Sequence, residues 1–335
     1  MLLLVGFFCA LTSPLPLQDS PVAPVDPVAA TPKPSAQAVE IGAVLEGFLK
    51  KHKSKVRAYP SEDGRFTLYS DFSRKSGKKA FSMSGEILAR LDACLGAPQE
   101  SKEGPFSLLL LRNEKHYLTL CNGFIEGVPS LAGFFLRHRN TTGFTLYAPR
   151  LSVFLLDPKG ASESDPYHDI AHNAVHLDMH QRYGVLPLWL TEGMACAAED
   201  SAFGSVWAHW YRTGFIFSKS HGAWRGKETQ ALVASAEKVH AVFGYRARPF
   251  QPELAKLAFA VATFGLESDP AGLDTFCKHL NQEYQRRQKF GGRFTLEAEV
   301  QLGLASAAFG ADFVTKIQDW WKNPASWKAW KKKKR

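Results

Sequence analysis

The stretch YHDIAHNAVHLDMH, residues 167–180, carries a histidine at every fourth position. Asp165 is a favourable N-cap and Pro166 fits the first helical position, while Gly184 fits just past a helix end. We therefore predict one helix over 165–183. Each four-residue step turns about 40° around a helix axis, so four such histidines spread over about 120° and cannot all contact one ion. Two neighbours in the series can chelate one metal, and the series is His168, His172, His176 and His180.

A further metal ligand is offered by the next segment, LPLWLTEGMACAAED at residues 186–200. We predict a second helix over 187–200, and the short connection through Gly184 makes the two helices neighbours. Glu192 would then face back toward the histidine helix. Two histidines and one glutamate, with a water in the fourth position, form a hydrolytic zinc arrangement, so the sequence predicts bound Zn²⁺.

These two segments resemble the zincin metallopeptidases of the gluzincin type, which carry HExxH on one helix and a glutamate ligand on a second. The resemblance is closer still to the peptidase-MA-like proteins, including the DUF1570 group, whose late segment is similar to AAFGADFVTKIQDWW at 307–321. In the thermolysin-like pattern, twenty residues separate the second histidine from the glutamate. Here 192 − 172 = 20, which implies that HDIAH is the motif and that His168, His172 and Glu192 bind zinc.

The overlapping motif HNAVH, residues 172–176, is the alternative. It gives a spacing of 192 − 176 = 16 and puts Asn173 at the position of the family's catalytic glutamate. An amide cannot take a proton from water, so this register retains metal ligands without the base.

The favoured register departs from the family pattern at Asp169, where the family has a glutamate that acts as general base. A carboxylate one methylene shorter can still act, and a displacement of roughly 1 Å costs on the order of 10²-fold in rate. The resemblance thus implies a zinc metallopeptidase that acts on a peptide or protein substrate. The alternative is a catalytically impaired relative, a metal-stabilised binding or cell-envelope protein in which Asp169 only complements the helix macrodipole.

Other polar residues are predicted to support the site. We expect His176 to orient Glu192 or to bond a backbone carbonyl instead of binding the ion. Asp178 and Glu199 are expected to be surface charges, with the alternative that Glu199 holds the free N–H of a ligand histidine. An oxyanion-stabilising side chain is also needed, and the candidates are His209, Tyr211, His221, His240 and Tyr245.

The N-terminal residues predict export. The apolar run at 2–11 is too short to span a bilayer and is typical of a signal peptide, which we assign to 1–19. Seven prolines within 14–37 predict an extended linker, assigned to 20–38. We therefore expect a secreted, periplasmic or cell-envelope protein. The cysteines beyond the signal form no CxxC pair and are predicted to be buried free thiols, with one or two disulfides after export as the alternative: Cys94, Cys121, Cys196 and Cys277.

The net charge of +9 is concentrated at the C-terminus. The final KKKKR supplies five charges, which leaves 9 − 5 = 4 on the rest of the chain. The sequence contains no phosphate-cradling glycine loop and no nucleic-acid-binding signature, so no nucleic-acid partner is expected. The basic tail at 326–335 is predicted to be frayed, with weak contact to a membrane surface as the alternative.

The order of elements predicts an α+β fold, which the resemblance makes zincin-like. An α/β subdomain over 39–158 is expected to contain strands at 66–73, 106–113 and 143–158 and helices at 39–53 and 80–95. A helical subdomain over 159–325 carries the metal motif. Its later helices are predicted at 206–217, 230–243, 253–264, 271–287, 294–307 and 311–321.

Overall fold

A computed structural model describes residues 36–99, 104–139, 143–155, 166–210, 214–217, 224–245, 252–289 and 295–328. All of these residues belong to the unit Pro34–Arg335. The predicted signal peptide at 1–19, most of the predicted linker, Asp165 and the end of the basic tail lie outside the described residues.

A five-stranded mixed sheet lies in the N-terminal half, with the order β1-β2-β3-β5-β4. β3 pairs in parallel with β2 and β5, whereas the edge strands β1 and β4 are antiparallel to their neighbours. The central strand has the sequence FSLLLL and is almost entirely buried, as a continuous apolar run predicts. The strands are β1 Arg57–Pro60, β2 Phe66–Ser70, β3 Phe106–Leu111, β4 Gly143–Tyr147 and β5 Arg150–Leu155.

Helices cover both faces of this sheet. Successive side chains of β3 point to opposite sides, and both sets are apolar, so each face is buried under helices. Leu109 and Leu111 belong to a core cluster that α1, α3 and α4 complete. Leu108 and Leu110 belong to a larger cluster that includes α2 and the helical half of the chain. The helices of this half are α1 Ala36–Lys51, α2 Arg74–Leu95, α3 Glu114–Gly127 and α4 Ala132–His138.

The second half of the described chain is mostly helical. Two short strands, β6 Trp207–Trp210 and β7 Gly214–Phe217, pair antiparallel within it. α6 lies at its centre, and nearly all of its residues are buried. The helices are α5 Pro166–Tyr183, α6 Leu188–Phe203, α7 Lys227–Val233, α8 Ala236–Phe243, α9 Pro252–Ser268, α10 Pro270–Lys289, α11 Ala298–Phe309, α12 Phe313–Lys322 and α13 Pro324–Lys328.

The predicted mixture of helices with a small N-terminal sheet is confirmed, while the zincin-like assignment stays a prediction. The predicted helix at 206–217 is wrong, because β6 and β7 occupy this segment with Trp207 paired to Phe217. Its aromatic residues fit an extended ladder better than a helix. The predicted helix at 230–243 is two helices, because the Ser235 hydroxyl accepts the N–H of Lys238 at 3.2 Å and starts a new one.

A cluster of ion pairs fastens the C-terminal end of α5. Arg182 Nε donates to Asp178 at 2.6 Å, and Arg65 Nη1 lies 3.3 Å from the same carboxylate. Both arginines also donate to Asp92 on α2. Asp178 is completely buried, so the prediction of a surface charge is wrong, and burial raises its pKa in spite of the two arginines.

The cysteines confirm the prediction of free thiols. Cys94, Cys121, Cys196 and Cys277 form no disulfide, and all but Cys94 are buried. Across the described ranges, no helix combines the length and the apolar character that a bilayer crossing requires.

Candidate metal centre

The histidine helix α5 and the glutamate helix α6 are neighbours in the chain and in space. α5 begins at Pro166, as predicted, and ends at Gly184, whose φ of 72° is a left-handed conformation that favours glycine. The Gly184 N–H donates to the His180 carbonyl at 2.8 Å. α6 starts directly after Pro187, so a very short connection positions the two helices against each other.

Three side chains from these helices form a group that can hold a metal ion. Each of His172, His176 and Glu192 offers one ligand atom, and these atoms lie within 4.8 Å of one another. Glu192 Oε2 is 3.3 Å from His172 Nε2 and 3.8 Å from His176 Nε2. Tetrahedral ligands at about 2.0–2.1 Å from zinc are roughly 3.3 Å apart, so small side-chain adjustments suffice to fit the ion.

His168 does not belong to this group. Its Nδ1 lies 2.6 Å from Glu199 Oε1, and its ring meets the edge of Phe203 with centroids 4.8 Å apart. Its assignment as a ligand stays a prediction, whereas His176, expected only to orient other groups, lies beside Glu192. The geometry therefore favours the alternative register, HNAVH, over HDIAH.

The Glu199 carboxylate contacts the Nδ1 atoms of two histidines, His168 and His172. It is completely buried, so the prediction of a surface charge is wrong. Besides its contact with His168, its Oε2 lies 3.3 Å from His172 Nδ1. Burial raises the pKa of Glu199, but the bonds from the two imidazoles lower it further, and it falls below the usual range. A carboxylate on the far nitrogen of a metal-binding histidine fixes its ring orientation and increases its basicity.

His172 lies between two carboxylates, Glu192 at Nε2 and Glu199 at Nδ1. Burial lowers the pKa of His172, but hydrogen bonds and charge from the two glutamates raise it to about 10. The ring of the metal-free protein therefore carries a proton at neutral pH. Because a metal ligand must be neutral imidazole, ion and proton compete for this site.

The residue after His172 offers no proton acceptor suited to water activation. The Asn173 amide donates to the Asp169 carbonyl at 2.9 Å, and its oxygen accepts from the Thr145 hydroxyl at 2.9 Å. Asn173 therefore ties the ligand helix to itself and to β4. Asp169, the predicted base, is buried one helical turn before His172.

A close contact between helices fixes the position of Glu192. A Cβ placed on the next residue, Gly193, would lie 2.5 Å from the Ala258 carbonyl oxygen of α9. Only glycine lets the two backbones approach this closely. The glycine in WLTEG thus sets the depth at which α6, and with it Glu192, lies in the core.

The remaining residues predicted near the site do not join it in the described part of the chain. His180 stacks on Tyr147 with ring centroids 4.6 Å apart. Of the oxyanion candidates, His240 is exposed on α8, and Tyr245 packs on the main core. The side chains of His209, Tyr211 and His221 lie outside the described residues.

A scan against models of protein families finds no match, and no curated protein is significantly similar to this sequence. The resemblance to peptidase-MA-like proteins therefore stays a prediction.

Sequence reasoning underestimated two residues, His176 and Asn173. The signal was present, because HNAVH has the same spacing as HDIAH and also precedes Glu192. The spacing of twenty residues between His172 and Glu192, which matches the family pattern, favoured HDIAH instead. The approach of His176 Nε2 to Glu192, at 3.8 Å, separates the two registers.

Proposed function

We propose that this chain is an exported zinc-binding protein that uses His172, His176 and Glu192 as ligands and is a catalytically impaired relative of zinc hydrolases. The observation that carries the proposal is the convergence of these three side chains, with ligand atoms within 4.8 Å of one another. Export is part of the proposal because of the apolar start at 2–11 and the proline-rich segment after it.

The donor set supports zinc over harder ions. Two imidazoles and one carboxylate are typical zinc ligands, whereas calcium and magnesium are held mainly by oxygen. The Glu199 carboxylate at His172 Nδ1 adds the outer hydrogen bond that such sites usually have. A bound zinc ion would supply Lewis-acid activation of water and of a carbonyl group.

The environment of Asn173 supports the loss of hydrolytic activity. Both ends of its amide have hydrogen-bond partners within the fold, Asp169 O and Thr145 Oγ1. An amide cannot accept the proton of a water molecule, and removing a general base typically costs about 10²–10⁴-fold in rate. We infer that the site binds an ion but turns over peptide bonds slowly or not at all.

Zinc content of the purified mature chain tests the ligand assignment. Elemental mass spectrometry should find one zinc per chain in the wild type and in His168→Ala, and none in His176→Ala or Glu192→Ala. His180→Ala is the matched control, since His180 stacks on Tyr147 and does not belong to the group of three possible ligands. Retention of zinc in His176→Ala together with its loss in His168→Ala would contradict the proposed ligand set.

A second candidate function is a slow metallopeptidase with Asp169 as base and His168 and His172 as ligands. The observation in its favour is that Asp169 is buried on the ligand helix, next to His168. This candidate predicts that the wild type cleaves unfolded protein substrates and that Asp169→Asn abolishes cleavage with zinc retained. Equal activity of wild type and Asp169→Asn would eliminate it.

A further inference from the structure

A basic cavity lies at the open edge of the sheet, beside β1. It has a volume of about 700 Å³ and lies between the end of α1, strand β1 and the first turns of α2. Four cations line it, Lys53, Arg57, Arg74 and Lys78, with no acidic residue among its lining groups.

The cavity joins two basic runs that are separate in the sequence. Residues 50–57 contain five Lys and Arg and residues 74–79 contain four, and neither run contains an acidic residue. The first run connects the end of α1 to the start of β1, and the second run begins α2, shortly after β2. Pairing of β1 with β2 therefore brings the two runs together. The fold thus creates a concentration of positive charge that the modest charge of the chain without its tail does not suggest.

The four cations lack the partners that other cations of this protein have. Within the described ranges, none of them has a carboxylate within 4.0 Å, whereas Arg65 and Arg225 each contact two or more. Arg57 donates only to a backbone carbonyl, that of Phe72. The four side chains are exposed and are therefore available to a ligand.

The N-terminus of α2 adds to the positive potential. Helix N-termini carry a partial positive charge and usually have acidic residues in their first turn. α2 has none, and Arg74 is its first residue. Helix dipole and side chains therefore act in the same direction, and an anion in the cavity would relieve their mutual repulsion.

We propose that this cavity binds a compact ligand carrying two phosphate groups, either as a free organic bisphosphate or as a phospholipid head group. Four cations match two phosphates, which carry about −1.5 to −2 each at neutral pH. The guanidinium groups of Arg57 and Arg74 can contact phosphate oxygens in pairs. Tyr59 and Tyr69 supply apolar walls for the organic part, and the volume is that of ordinary small-molecule sites.

Addition of an acidic peptide as an extra strand is less well supported. β1 has only four residues, and its last, Pro60, has no N–H to donate. The edge therefore offers few backbone hydrogen bonds to an incoming strand. A ligand that binds mainly through the cationic side chains fits this edge better, because these side chains are the binding groups that it offers.

Calorimetric titration of the zinc-loaded full chain tests the proposal with fructose bisphosphate and, separately, with vesicles of phosphatidylcholine containing phosphatidylinositol bisphosphate. The cavity variant is Lys53→Gln with Lys78→Gln. The matched control is Lys51→Gln with Lys75→Gln, which removes the same charge from the same two runs at exposed positions that do not line the cavity. The basic tail is present in every variant, so its contribution to vesicle binding cancels.

We expect saturable binding by the wild type. The binding affinity should be about tenfold or more lower in the cavity variant, because each charge-assisted hydrogen bond to a phosphate contributes substantially to the binding free energy. The affinity of the control variant should change by less than about twofold. If fructose bisphosphate shows this pattern, the ligand is a free bisphosphate; if only the vesicles show it, the ligand is a lipid head group. Equal weakening in both variants, or no binding of either probe tighter than about 1 mM, would overturn the proposal. Cavity-dependent binding of an oligoglutamate peptide without binding of either phosphate probe would overturn it too.

Discussion

Glu199 Oε1 lies 2.6 Å from His168 Nδ1, and the other oxygen of the same carboxylate lies 3.3 Å from His172 Nδ1. One buried side chain of α6 thus holds two successive histidines of α5. Glu192, the proposed ligand, lies 199 − 192 = 7 residues earlier on the same face of α6, about two helical turns away. The two carboxylates of α6 therefore meet opposite nitrogens of His172, Glu199 at Nδ1 and Glu192 at Nε2.

Glu199→Gln should weaken zinc binding about 10–100-fold, because His172 loses the carboxylate that orients its ring. The measurement is competition with a chromophoric chelator, accompanied by thermal unfolding to establish that the variant folds. Glu237→Gln, at an exposed position on α8, is the control. An unchanged zinc affinity in folded Glu199→Gln would show that His172 is oriented by other contacts.

Zinc binding should release about one proton near neutral pH. His172 has a pKa of about 10 in the metal-free protein and must lose its proton to bind the ion. Zinc affinity should therefore rise with pH up to about 10. Calorimetry in two buffers with different protonation enthalpies measures the proton directly, and identical heats in both would contradict the prediction.

The same raised pKa sets the pH dependence of stability in the metal-free protein. The folded pKa lies above the unfolded value of 6.5, so the stabilisation is complete below pH 6.5 and is lost as the pH rises through about 10. Chemical unfolding of chelator-treated protein across this range should show the decline, and His172→Gln should abolish this part of it.

Gly193→Ala should destabilise the protein by about 1–3 kcal/mol, since the new methyl group would lie 2.5 Å from the Ala258 carbonyl oxygen. It should also weaken zinc binding, because α6 must shift and carries Glu192 with it. Gly303→Ala on α11 is the control, as no atom lies within 4 Å of its added methyl group. That variant should be stabilised by roughly 0.5–1 kcal/mol. Urea unfolding distinguishes the two, and equal effects would refute the packing argument.

Asn173→Glu should introduce hydrolysis of unfolded protein substrates, about 10²-fold or more above the wild type, because it places a general base beside the ion. Asn173→Gln has similar size and no proton acceptor, and it should remain inactive. Both variants lose the bond to Thr145, so thermal stability must be compared as well. Inactivity of a folded, zinc-loaded Asn173→Glu would mean that the site lacks more than the base.

The ligand helices themselves could be predicted from the sequence with little error. Pro166 and Gly184 mark the ends of α5 as local backbone chemistry requires, and the four-residue histidine spacing follows directly from the helical period. The choice of histidine pair could not be predicted from the sequence, because HDIAH and HNAVH differ by one helical turn and both present chelating side chains. The proximity of His176 to Glu192 distinguishes the two pairs, and it arises from the packing of α5 on α6.

The basic cavity illustrates the same limit. Each of the runs at 50–57 and 74–79 is visible in the sequence, but nothing local indicates that they meet. Their proximity depends on β1 pairing with β2, and β1 itself is a four-residue edge strand that was not predicted. Strands this short carry too few residues for alternation to be recognised.

The ion pairs of Asp178 and Arg182 fasten α5 at the end opposite His168, to partners that do not depend on a metal. α6 is likewise fixed by its contact with α9. Removal of the ion by a chelator should therefore leave a preformed binding site in a folded domain. Zinc fingers differ, because in them the ion drives folding. A chain with this property can acquire its ion after it has folded.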